Sequence, residues 1–341
     1  MASLSITGSP VRERYFRSLP IVPKIPSSPV QNSFSIFSRL KDRFFGHKAR
    51  SQDAGTPETN PGVYFGAPRG LTSFEIHSPL LFHEACFPHT LRVLNGGYIT
   101  KLSLQHTRLS VTDWRNLLPL LSMPLLCEFN IRPHSLIAVR DLSLFLLRHS
   151  NITHLDLSCS PIGPLMPPQG FLPRLEVITG CAYWLLRLLS SRRDLFPHLR
   201  SVVLPHPLRQ YGVLNNILQN LADRKRGTIR LSLEFESPTV LLGWLYSKAK
   251  LKPCSLVCVK ALEIGFGFSI YPQMCDIFFS WVSVFPYVQE LYLKQVVPGD
   301  PNMCRTWRLD ALWDFCPELQ SVIDGVQTYQ RPVKAVTLYS S

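Results

Sequence analysis

The sequence predicts an α/β fold: a solenoid of about ten irregular repeats, with parallel strands stacked into one curved, concave sheet and helices on the convex side. Three observations predict it. A short alternating pattern recurs along the chain. In Ile152-Thr153-His154-Leu155-Asp156-Leu157, Leu155 and Leu157 share one face of a strand, while His154 and Asp156 share the other. The same pattern returns as Ile99/Leu102/Leu104, Leu126/Phe129/Ile131, Leu199/Val202/Leu204, Val259/Leu262/Ile264 and Val288/Leu291/Leu293. Secondly, once weaker strands are added, strand starts fall roughly 20–30 residues apart, the period of a stacked supersecondary unit. Thirdly, helix signals lie between the strands, and strands joined through helices run parallel.

Bulk properties agree. A chain of 341 residues is long for one globular core. A solenoid escapes that limit because each repeat packs only on its neighbours. Hydrophobic residues make up 45% and charged residues only 17%, which suits a large apolar interior. The net charge of +13 is uneven: residues 1–70 hold ten Lys/Arg against four Asp/Glu, and the remaining 271 hold 26 against 19. The repeats are therefore only mildly basic. A dedicated nucleic-acid binder carries a denser basic stripe with interleaved aromatics.

The nine cysteines are odd in number and irregular in spacing, which reads as reduced thiols in a chain of the cytoplasm or nucleus. Met1–Pro20 has no continuous apolar core of a secretory signal, and no run of about 18 apolar residues predicts a membrane span. The expected location is intracellular.

Residues 1–70 read as a disordered basic arm, with closely spaced prolines such as Pro20, Pro23 and Pro26. Within it, residues 33–50 place Phe37, Leu40 and Phe44 at helical spacing among Arg39, Lys41, Arg43 and Lys48. Two readings stay open: a basic amphipathic helix for a membrane surface or partner, or a short helix that docks on the first repeat or forms transiently. The repeat domain spans 71–325. Leu71–Ile76 is its first strand. Ser110 caps a helix with Asp113 three residues on, Leu117, Leu118, Leu120 and Leu121 form its buried stripe, and Pro124 ends it. The next unit has a strand near Phe129 and a helix over Val139–Leu147. After Leu157, the prolines at 161, 164, 167 and 168 predict an irregular loop.

Leu172/Leu175/Val177 gives the next strand, with Leu175/Ile178 as an alternative register. Trp184–Leu189 reads as a short helix. Asn215–Arg226 is a longer one, stopped by Gly227. Ile229/Leu231/Leu233 alternates as a strand. Ser237-Pro238 starts a helix through Trp244 and Tyr246. Pro272 opens another, holding Ile277, Phe278, Trp281 and Val284 and closed by Pro286. Trp307–Phe315 is the last helix and Leu319/Val322 the last strand. Residues 326–341 lose the pattern and read as a C-terminal tail.

Units of this length with leucine-bearing strands are the pattern of leucine-rich repeats, and the longer ones, roughly 29–30 residues, leave room for a full convex helix in a horseshoe. More narrowly, the phrasing of Ile152–Leu157, of Leu172-Pro173-Arg174-Leu175-Glu176-Val177 and of Phe196-Pro197-His198-Leu199-Arg200-Ser201-Val202 resembles the repeat region of fungal F-box-like proteins. A Pro-x-Leu step leads into the strand there, and Cys316-Pro317-Glu318-Leu319 repeats it. The resemblance implies a non-catalytic protein-interaction module, similar to the substrate-recognition repeats of SCF-type ubiquitin ligase receptors. Of an F-box itself, Ser18-Leu19-Pro20 supplies only the opening step, and the prolines after it forbid the helices. An Skp-type adaptor is therefore not an expected partner.

Motifs for chemistry are missing. There is no phosphate loop and no nucleophile elbow. Gly265-Phe266-Gly267 lacks the rest of a dinucleotide fingerprint. Cys254-x-x-x-Cys258 has no second ligand pair, and His77, His83 and His89 read as surface or capping residues rather than metal ligands. No enzyme activity, cofactor or metal is expected. What remains is the concave face, where residues between the core leucines point outward: Ser73 and Glu75; Lys101, Ser103 and Gln105; Glu128, Asn130 and Arg132; His154 and Asp156; Arg174 and Glu176; Arg230, Ser232 and Glu234; Glu290, Tyr292 and Lys294. One ladder reads Lys101, Glu128, His154, Arg174. Both charge signs appear, which suits a protein partner better than a phosphate backbone. Nucleic acid or an anionic membrane, bound through the basic arm, is the alternative.

Overall fold

Apolar–polar alternation over four to eight residues makes a half-buried strand, and ten such strands line up here side by side. The computed structural model describes residues 71–132, 136–163, 171–190, 195–205, 211–224, 228–235, 237–247, 256–268, 272–295, 309–325 and 327–332. The chain separates into two units, Met1–Arg50 and Ser51–Ser341, and every described residue belongs to the second. The expected basic arm and its helix at 33–50 lie outside the described residues.

In chain order the strands are β1 (Ser73–Ile76), β2 (Lys101–Leu104), β3 (Glu128–Ile131), β4 (Leu136–Ala138), β5 (His154–Leu157), β6 (Ser160–Ile162), β7 (Val177–Gly180), β8 (Ser201–Leu204), β9 (Ile229–Phe235), β10 (Val259–Phe266), β11 (Glu290–Gln295), β12 (Ser321–Asp324) and β13 (Gln327–Gln330). The helices are α1 (Phe87–Leu94), α2 (Val111–Leu117), α3 (Val139–Arg148), α4 (Ala182–Ser190), α5 (Tyr211–Ala222), α6 (Pro238–Ser247), α7 (Pro272–Val282) and α8 (Leu309–Phe315).

Eleven strands form one sheet in the order β1-β2-β3-β5-β7-β8-β9-β10-β11-β12-β13. All its pairings are parallel except the last. The fold is α/β with a mostly parallel sheet. Paired residues recur at short sequence intervals, from His154↔Val177, 23 apart, to Arg230↔Ala261, 31 apart. The core lies on one face of the sheet. Leu102, Phe129, Leu155, Ile178, Val202, Leu231, Leu262, Leu291 and Val322 stand opposite one another and are all buried. The helices pack on that face: the Phe129 ring of β3 meets Phe145 of α3 with centroids 4.7 Å apart. Trp114 of α2, Trp184 of α4 and Trp281 of α7 are each buried in the same layer.

A tight turn delivers the chain into most strands. The carbonyls of Met123, His149, Leu172, Phe196, Leu256, Phe285 and Cys316 each accept from the N–H three residues on, at 3.0–3.3 Å. In five of these turns the second residue is proline: Pro124, Pro173, Pro197, Pro286 and Pro317. Proline presets the φ of that position. The first and fourth residues of each turn are buried, and the fourth opens the strand pattern.

Several elements match the sequence reading. Ser110 and Asp113 form a reciprocal capping box on α2, with Asp113 N–H to Ser110 Oγ at 3.1 Å and Ser110 N–H to Asp113 Oδ2 at 2.9 Å. Others differ. Asp324-Gly325 starts a tight reversal, with Gly325 at φ +53°, and β13 returns antiparallel to β12. The sheet therefore extends into the expected tail and is not wholly parallel. The segment after Leu157, expected as irregular loop, contains β6, which pairs with β4 in a separate two-stranded sheet. Helix α1 was not foreseen because Pro88 breaks its periodic reading, yet proline is tolerated in a first turn. Helix α5 ends at Ala222, ahead of the expected stop at Gly227, which lies outside the described residues.

His149, the first residue of one turn, ties two units together. Its Nε2 accepts from the Met123 N–H at 3.1 Å, and its Nδ1 donates to the Phe145 carbonyl at 2.7 Å. Burial holds the imidazole below its ordinary value of 6.5, and the nearby Arg148 charge acts in the same direction against the Phe145 bond. The folded chain thus favours the neutral ring. Its stabilisation is complete above about pH 6.5 and is lost as pH falls through the lower folded value. Between about pH 7.5 and 5.5, the thermal midpoint is expected to fall further for the wild type than for His149→Gln, as followed by circular dichroism. Separately, Leu155→Ala should cost about 2–5 kcal/mol in urea unfolding, while His154→Ala, on the opposite face, should stay within about 0.5 kcal/mol.

Candidate functional site: the open face of the sheet

The residues opposite the core alternate outward, and parallel pairing stacks them in rows about 4.8 Å apart from strand to strand. The first row reads Ser73, Lys101, Glu128, His154, Val177, Ser201, Arg230, Ala261, Glu290. The second reads Glu75, Ser103, Asn130, Asp156, Thr179, Val203, Ser232, Glu263, Tyr292. A third continues it with Gln105 and Arg132 at one end and Glu234, Gly265 and Lys294 at the other.

Sixteen of the eighteen residues expected to line the face stand in these rows. Arg174 and Glu176 do not. Pro173 and Arg174 are the two middle residues of a turn, so Arg174 is exposed ahead of the strand, in the place that His198 and Glu318 take in their own turns. Glu176 precedes β7, with its carbonyl accepting from Arg200 and Ser201 N–H at 2.8 and 3.0 Å. The neighbour of His154 is Val177, so the expected ladder Lys101, Glu128, His154, Arg174 ends at its third member. Leu175 and Ile178, not Val177, occupy the core. The signal was in the sequence: setting Pro173 against Pro197 and Pro317 makes Leu175 the equivalent of Leu199 and Leu319.

Three zones follow. Over β1–β5 the face is polar. Lys101 Nζ lies 3.2 Å from Glu128 Oε2, both side chains about 40% exposed, so the pair contributes little to stability. Gln105 Nε2 donates to Ser103 Oγ at 3.0 Å, and Ser158 Oγ donates to Asp156 Oδ1 at 2.7 Å. His154 Nδ1 sits 2.9 Å from Thr153 Oγ1.

Over β7–β8 the face is uncharged and carries Val177, Thr179, Ser201 and Val203, all half-buried. Gly180 ends β7 on the core side, where an added Cβ would stand 3.1 Å from the Leu157 carbonyl oxygen. The backbones approach closely there because no side chain separates them.

Over β9–β11 the side chains form a network. Arg230 donates from Nη2 to Glu263 Oε2 at 2.6 Å, and its guanidinium carbon lies 4.4 Å from the Tyr292 ring centroid. The Tyr292 hydroxyl donates to Glu290 Oε2 at 2.8 Å. Arg230 and Glu290 belong to the same row with only Ala261 between them. That small side chain leaves room for the guanidinium to lie across β10. Gly265 does the same between Glu234 and Lys294, where an added Cβ would meet Glu234 Cγ at 3.4 Å. Glu263 was overlooked in the sequence, although it stands between Leu262 and Ile264 and must point outward.

Burial pushes the Cys159 thiol up to about 12, and burial also raises Cys181 and Cys258, so all three are protonated and weakly nucleophilic at neutral pH. Among the described residues no group of three or more His, Cys, Asp or Glu side chains is placed to hold a metal ion. His77 instead faces Glu75, Nε2 to Oε2 at 3.5 Å. The seven described cysteines are free thiols. No described helix is long and apolar enough to cross a membrane.

Fold and face together define an α/β protein with a mostly parallel sheet, helices on one face and a patterned open surface on the other. No protein-family model matches the chain, and no curated protein matches it.

The hydrogen bond to Glu290 raises the Tyr292 phenol above its ordinary value of 10, with burial and the Glu290 charge adding to it. In Glu290→Gln the phenol should titrate at lower pH than in the wild type. Chemical shifts of ring-labelled tyrosine, followed through the alkaline range, would show the change.

Proposed function

We propose that this chain is a leucine-rich-repeat horseshoe whose open, concave face binds a protein partner. It would act as a non-catalytic interaction module, in the manner of the substrate-recognition repeats of SCF-type ubiquitin ligase receptors. One observation carries the reading: the outward rows place an uncharged centre, Val177, Thr179, Ser201 and Val203, between two zones of mixed charge. That is the anatomy of a protein interface, with a less polar core and a polar rim. The stacked Arg230 and Tyr292 support it, since Arg and Tyr are over-represented among residues that dominate binding energy. Mixed charge argues against a phosphate backbone as the ligand, which calls for a basic stripe. The recurrence of paired residues at 23 to 31 residues supports the repeat assignment.

The test uses the full chain. Ser201 lies at the middle of the sheet on the open face, away from the core. Ser201→Arg should abolish capture of the partner in affinity purification while leaving the thermal midpoint within about 2 °C. Capture that is unchanged in this variant would place the binding surface elsewhere.

A further inference from the structure

We infer that the partner segment on the open face is extended and basic, with Lys or Arg residues about four to five apart on either side of an apolar one. The inference rests on the proposed role of that face and adds the chemistry of what it holds. The argument begins with charge. The outward rows carry six carboxylates, Glu75, Glu128, Asp156, Glu234, Glu263 and Glu290, against four cations, in a chain whose net charge is +13. The fold has kept the protein's basic excess off this surface.

Two of the four cations are already engaged. Lys101 is paired with Glu128, and Arg230 with Glu263. Among the described residues neither Glu234 nor Glu290 has a cation within ion-pair distance. The Arg230 contact shows what the face does with a guanidinium: it sits against the Tyr292 ring with a carboxylate at its edge. An acidic ligand would meet the opposite field.

Spacing sets the rest. Asp156 on β5 and Glu234 on β9 flank the uncharged centre from its two sides. Three strand steps across the sheet, about 14 Å, and one row along the strands, about 7 Å, put them about 16 Å apart. An extended chain covers that in about four to five residues. A segment crossing the strands therefore brings a basic side chain to each carboxylate when its apolar residue rests on Val177 and Val203. Gly265 keeps the Glu234 side open: with no side chain of its own, it leaves the Glu234 carboxylate approachable from above β10.

The test is selection of a random dodecapeptide library on the immobilised full chain. Enriched peptides should carry Lys or Arg about four to five apart around an apolar residue. They should bind about tenfold more weakly to the double variant Glu234→Gln/Glu290→Gln, and more weakly as salt rises from roughly 0.05 to 0.5 M. Glu318→Gln, in an exposed turn, should change nothing. Thermal midpoints of the variants establish that they fold. Enriched peptides that are neutral or acidic, yet lost in Ser201→Arg, would overturn the basic partner while leaving the face as a binding surface. Peptides indifferent to Ser201→Arg, or no enrichment, would overturn both.

Discussion

The structure depends on the hydrogen bond that closes each turn before a strand. A parallel sheet has no hairpins to set its register, so something else must fix where each returning chain joins its neighbour. Here the bond from residue i carbonyl to residue i+3 N–H does so. It recurs at Met123, His149, Leu172, Phe196, Leu256, Phe285 and Cys316. The buried first and fourth side chains anchor the turn, and at Pro124-Leu125, Pro173-Arg174, Pro197-His198 and Pro317-Glu318 the middle pair is exposed to water. A slip of one residue would turn every inward leucine outward. The cost of that slip makes the outward rows reproducible from strand to strand, and the face inherits its order from it.

Consecutive units are joined by a second set of contacts, between side chains of one unit and backbone groups of its neighbour. Helix ends leave carbonyls without intrahelical partners. Arg148 of α3 donates to the carbonyls of Leu118 and Pro119, the latter at 3.1 Å, and Asn151 donates to Pro124 at 3.0 Å. Asn95 both donates to the Leu120 carbonyl and accepts from Ser122 N–H. Arg224, buried after α5, donates to Leu195 at 2.7 Å. Beyond β13, Arg331 reaches the carbonyls of Pro317 and Trp313. Each bond gives a backbone group a side-chain partner, and each spans neighbouring units only. Stability is therefore spread along the chain rather than gathered at one centre.

The open face combines rigidity with variety. Its backbone is held by ladders on both sides of nearly every strand, so its side chains start from fixed positions. The Arg230–Glu263–Tyr292–Glu290 network is held in place by its own hydrogen bonds and ring contact. Small residues are as informative as large ones. Ala261 and Gly265 are what allow Arg230 and Glu234 to lean across β10, and neither would attract notice in a search for chemical motifs.

By itself the sequence determined the alternation, the strand-then-helix order and, for most strands, the side that faces the core. These depend on a period of two or on capping residues within three positions, so Leu155, His154, Ser110 and Asp113 could be placed from their immediate neighbours. Tertiary structure decided which residues stand beside one another. β4 found β6, β13 folded back on β12, and Arg230 crossed Ala261 to reach Glu263 and Tyr292. Each of these outcomes turns on a turn bond or a partner on another strand, and on whether the intervening side chain is small enough to let two others meet. No local pattern encodes that contact.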